Sequence, residues 1–215
     1  MRLALSLLSL AMASQVVAGT VVGTVKLVER HGRVAKDLST VVVYVDGLKV
    51  ETPPRTVAVA MKDKAFEPRL VVVPVGSQVR FPNQDPIYHN VFSVSGDNRF
   101  DLGLYKESEG KSQAFERPGV VKVYCNIHPQ MSAIVVVRDN PFFALATRDG
   151  HFRLEGVPAG TRQITAWNEK ARETQTVEVT VPEQGEVAVS LELDGSRYKR
   201  SKHKNKYGKD YSDKY

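Results

Sequence analysis

The chemistry-bearing stretch of this sequence is Val123-Tyr124-Cys125-Asn126-Ile127-His128-Pro129-Gln130-Met131. It sets a thiol, an imidazole and a thioether three residues apart on one loop, directly after an apolar run. These are soft donors, suited to a transition metal. A second imidazole, His89, lies 36 residues upstream of the cysteine, in Asp85-Pro-Ile-Tyr-His89-Asn90-Val91 at the start of another apolar run. Singly, each residue has a plainer use: a cysteine before a strand packs as a small hydrophobe, a methionine fills core space, and a loop histidine is solvated. Together they make two imidazoles, one thiolate and one thioether, the ligand set of a mononuclear copper electron-transfer site. The expected ligands are therefore His89, Cys125, His128 and Met131, for one copper ion. Four protein ligands leave no position open for a substrate, which favours electron carriage over catalysis.

The rest of the composition narrows the choice. Cys125 is the only cysteine, which excludes an intramolecular disulfide framework and any centre needing two thiolates, such as dinuclear copper, a zinc ribbon or an iron–sulfur cluster. A multicopper enzyme needs further histidine pairs. The chain has five histidines, and His31, His151 and His203 are not clustered in sequence. No run of 18 apolar residues is present, so no spanning helix is expected.

The net charge of +6 is local. Residues 195–215 hold eight Lys or Arg against two Asp, and the other residues balance at 22 basic and 22 acidic. The body of the protein thus gives no reason to expect nucleic acid. The tail is polar apart from its four tyrosines, too little apolar surface to offset the entropy of ordering, and is expected to be disordered. Docking of this basic tail to an acidic redox partner or an anionic surface is a second use for it.

Residues 1–18 read as an export signal. Arg2 is followed by an 11-residue apolar core, Leu3 to Ala13, with Val16 and Ala18 as small residues before a cleavage point at Gly19. The mature protein is expected in the periplasm or secreted. In an oxidising compartment an unpaired thiol is buried, linked to another molecule, or held by a metal.

From Gly19 to Leu193 the runs are short, rich in Val, Thr and aromatics, and divided by Gly, Pro and Asp-Gly. That pattern predicts about a dozen strands, no substantial helix and an all-β fold of antiparallel sandwiches or barrels. Thr52-Pro53-Pro54-Arg55 and Asp139-Asn140-Pro141 read as connectors, Asp149-Gly150 as a hairpin turn, and Gly96 to Lys111 as a polar loop.

Residues 55–139 resemble the cupredoxins, the small blue-copper proteins. The resemblance rests on Lys64-Ala-Phe66-Glu-Pro68, on Val75-Gly76-Ser-Gln-Val79-Arg-Phe81-Pro-Asn83-Gln-Asp85, on His89-Asn90-Val91-Phe92 and on the spacing Cys125-x2-His128-x2-Met131. It implies a Greek-key β-sandwich with a type 1 copper ion near one end, equatorial His89, Cys125 and His128, and axial Met131. It also implies that Asn90 ties the two ligand loops together by hydrogen bonds, and that the exposed edge of His128 is the electron's exit. Gln130 stands where an apolar residue would extend a docking patch, and Ser132-Ala133 stand where the family often has Gly.

Asp149-Gly-His-Phe152-Arg-Leu154-Glu-Gly156-Val-Pro158-Ala-Gly160, running on to Trp167, resembles the carboxypeptidase regulatory-like domain, a transthyretin-like (Ig-like) β-sandwich. The opening strands of that family match Gly19 to Val45. The expected organisation is a split sandwich of 19–50 and 141–194, with the cupredoxin domain 55–139 inserted and a tail 195–215. Two tandem domains are the alternative. Trp167 is expected in the core of the second sandwich, and nothing there looks catalytic.

The sequence thus reads as an exported, non-enzymatic type 1 copper protein carrying single electrons between redox partners. The rival reading is an envelope protein that holds copper for storage or delivery.

Overall fold

The computed structural model describes residues 17–199 and 203–211. The expected export signal lies outside the described residues, except for Val17 and Ala18. Among the described residues every element longer than one turn is a strand, because β-branched residues dominate the short runs and favour extended backbone.

In chain order these are β1 (Ala18–Val28), β2 (Val42–Asp46), β3 (Thr56–Ala58), β4 (Ala60–Lys62), β5 (Ala65–Glu67) and β6 (Leu70–Pro74). Next come β7 (Ser77–Asn83), β8 (His89–Ser93), β9 (Phe100–Tyr105), β10 (Ser108–Phe115), β11 (Gly119–Tyr124) and β12 (Ser132–Arg138). The last five are β13 (Phe143–Leu145), β14 (His151–Pro158), β15 (Gly160–Trp167), β16 (Gln175–Val181) and β17 (Glu186–Asp194).

Four sheets form. One has the order β10-β7-β4-β5, with β3 also paired to β7, and another the order β6-β12-β11-β8-β9. Their facing side chains enclose a core that includes Met61, Phe66, Phe81, Val91, Phe115, Val123, Cys125, Met131 and Val135. The other two sheets mix strands from both ends of the chain. β1 lies between β14 and β17, and β2 between β13 and β15, which continues to β16. They enclose Val21, Val25, Val43, Val45, Phe152, Leu154, Ile164 and Leu191.

The period-2 alternation of strands explains how the two sandwiches meet. In β12, Ala133, Val135 and Val137 face the core that contains Cys125, so Ile134 and Val136 face the opposite way. There they pack with Leu70 and Val72 of β6 and with Val42 and Tyr44 of β2, forming a third buried cluster. Charged side chains ring this seam. Arg69 pairs with Glu169, and Arg138 binds Asp46 at 3.1 Å with its guanidinium 3.6 Å from the centre of the Tyr44 ring. The second-sandwich core expected to hold Trp167 does not: the indole is half-buried against this seam, because its neighbour Ala166 takes the inward position on β15.

Three further expectations are corrected. The polar loop foreseen from Gly96 to Lys111 contains all of β9 and the start of β10. Phe100 and Leu102 pack against the core that contains Cys125, with Phe100 edge-on to Phe115 at 5.9 Å, and this outweighs the polar residues between them. Asp149-Gly150 does make a turn, with Gly150 at φ +92°, but its flanking strands enter different sheets and form no hairpin. The tail is not free along 203–211, which lies against the loop after Cys125.

Candidate metal centre

Two of the expected ligands stand where neighbouring strands begin and end. His89 opens β8, and Cys125 follows the last residue of β11. These strands are antiparallel neighbours, Tyr124 opposite Phe92, so both residues come to the same end of the sheet. The connection to β12 turns back tightly. The Met131 amide donates to the His128 carbonyl at 3.0 Å, and the Cys125 amide donates to the Met131 carbonyl at 3.3 Å. That closure folds His128 back over the cysteine.

The resulting cluster is compact. Nδ1 of His89 lies 3.0 Å from Nδ1 of His128, and Nδ1 of His128 lies 3.7 Å from Sγ of Cys125. All three donor atoms fall within 4.8 Å of one another. His89, Cys125 and Met131 are fully buried, whereas His128 is half-buried and leads to exposed Pro129 and Gln130. Met131 shares the core cluster with Cys125.

Asp85 orders the buried histidine. Its Oδ2 is 2.7 Å from Nε2 of His89, so that nitrogen carries the proton and Nδ1 is left with its lone pair toward the cluster. The two oxygens of Asp85 also accept the backbone N–H groups of Asp63 at 2.8 Å and Lys64 at 3.0 Å. Those two residues form the two-residue turn between β4 and β5, with φ of +52° and +55°. Such angles are costly for residues other than glycine, and the carboxylate offsets that cost from outside the turn. Burial pushes the Asp85 carboxyl up, but the Lys64 amide, His89 and the Asp63 amide together hold it below its ordinary value. Asn83 fixes the same loop, accepting from the Asp85 amide and donating to the carbonyls of Ile87 and Tyr105.

Asn90 is buried beside the cysteine, with its backbone N–H 3.5 Å from Sγ. Its side chain does not reach the Cys125 loop. The amide nitrogen donates instead to Asp101 at 2.8 Å, on β9, and its Oδ1 has no hydrogen-bond partner among the described residues. The half-buried His128 is pushed below the ordinary histidine value by burial first, then by His89 and Lys64, against an opposing pull from Asp85.

Several neighbours escaped the sequence reading. Asp85 carried a local signal, four residues before a histidine. Asp101 carried none, because its role depends on the β8/β9 pairing. His203, unclustered in sequence, stacks on Tyr124 with ring centroids 4.0 Å apart. His31 and His151 are exposed and far from the cluster in sequence.

The donor set fits copper. Two imidazole nitrogens and one buried thiol converge, a carboxylate fixes the tautomer that frees one of those nitrogens, and a thioether residue shares their core.

No family model and no curated protein sequence matches the chain. Among solved structures, a copper-containing nitrite reductase from Thermus scotoductus SA-01 aligns over 44% of this chain at 28% identity with a TM-score of 0.38. The chain spans only 24% of that protein's length. A reduced amicyanin variant aligns over 39% of this chain and 82% of its own, at 28% identity and a TM-score of 0.36. A purple cupredoxin from Nitrosopumilus maritimus aligns over 54% of this chain and 99% of its own, at 20% identity and a TM-score of 0.32.

Proposed function

We propose that this protein is a type 1 copper protein of the cupredoxin kind that carries single electrons. The observation that carries the reading is the convergence of Nδ1 of His89, Nδ1 of His128 and Sγ of Cys125 at one end of a two-sheet sandwich. His89, Cys125 and His128 would hold the ion, with Met131 as the weak axial donor. Bound there, copper would supply a one-electron couple tuned by the thiolate and the axial group.

The chain's own residues do the rest. Cys125 and His89 are anchored at strand ends whose backbone is paired on both sides, which limits their movement between oxidation states. Asp85 keeps the His89 ring in one orientation and one tautomer. The buried core excludes water from the thiol. The half-buried His128 is the route by which an electron reaches the surface, and exposed Tyr88 and Leu104, on the adjacent β8–β9 end, offer apolar contact to a redox partner. Export to the periplasm or outside the cell, and a transthyretin-like second sandwich that acts as scaffold, belong to the same proposal.

Protein-film voltammetry in the presence of a copper chelator tests it. A reversible one-electron wave with copper retained over many cycles supports the carrier. Rapid surrender of copper to the chelator without such a wave turns the reading to storage or delivery.

A further inference from the structure

The C-terminal segment returns to the metal centre. The Tyr211 hydroxyl donates to the carbonyl of Cys125 at 2.7 Å and lies 3.1 Å from Nδ1 of His203. His203 is held between two aromatic rings, stacked on Tyr124 and edge-on to Tyr211 at 5.2 Å. The Lys206 amide donates to Oδ1 of Asn126 at 3.0 Å, and its ammonium donates to Oδ2 of Asp101 at 2.7 Å. Asp101 in turn accepts from Asn90, whose backbone N–H faces the Cys125 sulfur.

These contacts meet the residues around the thiol from two sides. Tyr211 and the Lys206 backbone hold Cys125 and Asn126, the first two residues of the ligand loop. The Lys206 ammonium holds Asp101, and through it Asn90. His203 shields the aromatic face of Tyr124, the residue before the cysteine. A segment bonded to a ligand's own carbonyl and to the partner of a neighbouring amide restrains the loop that must open for the thiol to react or for a metal to leave.

We propose that residues 203–211 are a strap over the ligand loop, with Tyr211 and Lys206 as positioning residues that govern access to Cys125 and retention of the metal. The retention half rests on the copper reading above. The access half does not.

The test uses the full chain, a chain ending at Lys199, and the full-length variants Tyr211→Phe, Lys206→Met and Lys206→Arg. In metal-free protein, the alkylation rate of Cys125 by iodoacetamide is expected to rise about tenfold or more on truncation. It is expected to rise about fivefold in Tyr211→Phe and in Lys206→Met, the factor one such hydrogen bond carries. Lys206→Arg, which keeps the charge, is expected to restore most of the protection. In copper-loaded protein, the rate of copper loss to a Cu(I) chelator is expected to follow the same order. Alkylation rates that stay within about twofold of the full chain overturn the strap, whatever the copper result. Faster alkylation with unchanged copper loss overturns retention. If the protein takes up no copper, the functional reading fails and alkylation alone decides the strap.

Discussion

Nε2 of His89 meets Oδ2 of Asp85 at 2.7 Å, and the same carboxylate accepts both backbone N–H groups of the Asp63–Lys64 turn. One side chain therefore couples the orientation of the imidazole proposed as a ligand to a strained turn on the opposite sheet. Such carboxylate–histidine pairs make the imidazole a better donor and fix its tautomer.

Asp85→Asn should weaken copper binding about 10- to 100-fold, the range measured when the partner of a ligating histidine is removed. It should also raise the reduction potential, because a negative charge that favours the oxidised ion is lost. Chelator competition and voltammetry on the same samples check both. Unchanged affinity would mean that the His89 ring is held by packing alone.

Asp101 supplies a pH dependence. Burial pushes its carboxyl up, but Lys206, Asn90 and the Gly103 amide outweigh burial and hold it below the ordinary 3.8. A carboxyl lowered in the folded state contributes stability that is fully present above its unfolded value and is lost as pH falls through the folded value. The difference in urea midpoint between the native protein and Asp101→Asn should therefore be constant above about pH 5 and shrink below about pH 4. A difference that grows on acidification contradicts the assignment.

The seam between the sandwiches should make them unfold as one. Ile134 is 3% exposed and packs on Tyr44 and Val42 from the other sandwich's sheet. Ile134→Ala should cost about 2–5 kcal/mol in chemical denaturation, with cavity and transfer contributions together. The native protein should show a single transition. Two separate transitions would show that the seam carries no coupling.

The ligand loop was legible because it is local: three donors within seven residues need no fold to be seen together. The all-β character was legible from valine-rich runs of strand length. Strand β9 was missed because Asp101 and Gly103 interrupt Phe100, Leu102 and Leu104, although their alternation was a usable signal. The strap was missed for a different reason. Its anchor is the backbone carbonyl of Cys125, which no composition reveals, and a basic, polar tail reads as solvated until that acceptor has a place. The apolar run Ala133–Val137 was readable as a strand. That its two faces serve two different cores depends on pairing with β6, which lies far away in sequence.

In the proposed site His89, Cys125 and His128 share one copper ion through a thiolate bond. Addition of Cu(II) to purified metal-free protein, with Cys125→Ser alongside, tests it most directly by visible absorption. An intense thiolate-to-copper band in the red that is bleached reversibly by ascorbate and missing from the variant is the result expected. A protein that binds copper with no such band, or with the same spectrum in the serine variant, would rule out a thiolate-bound copper site.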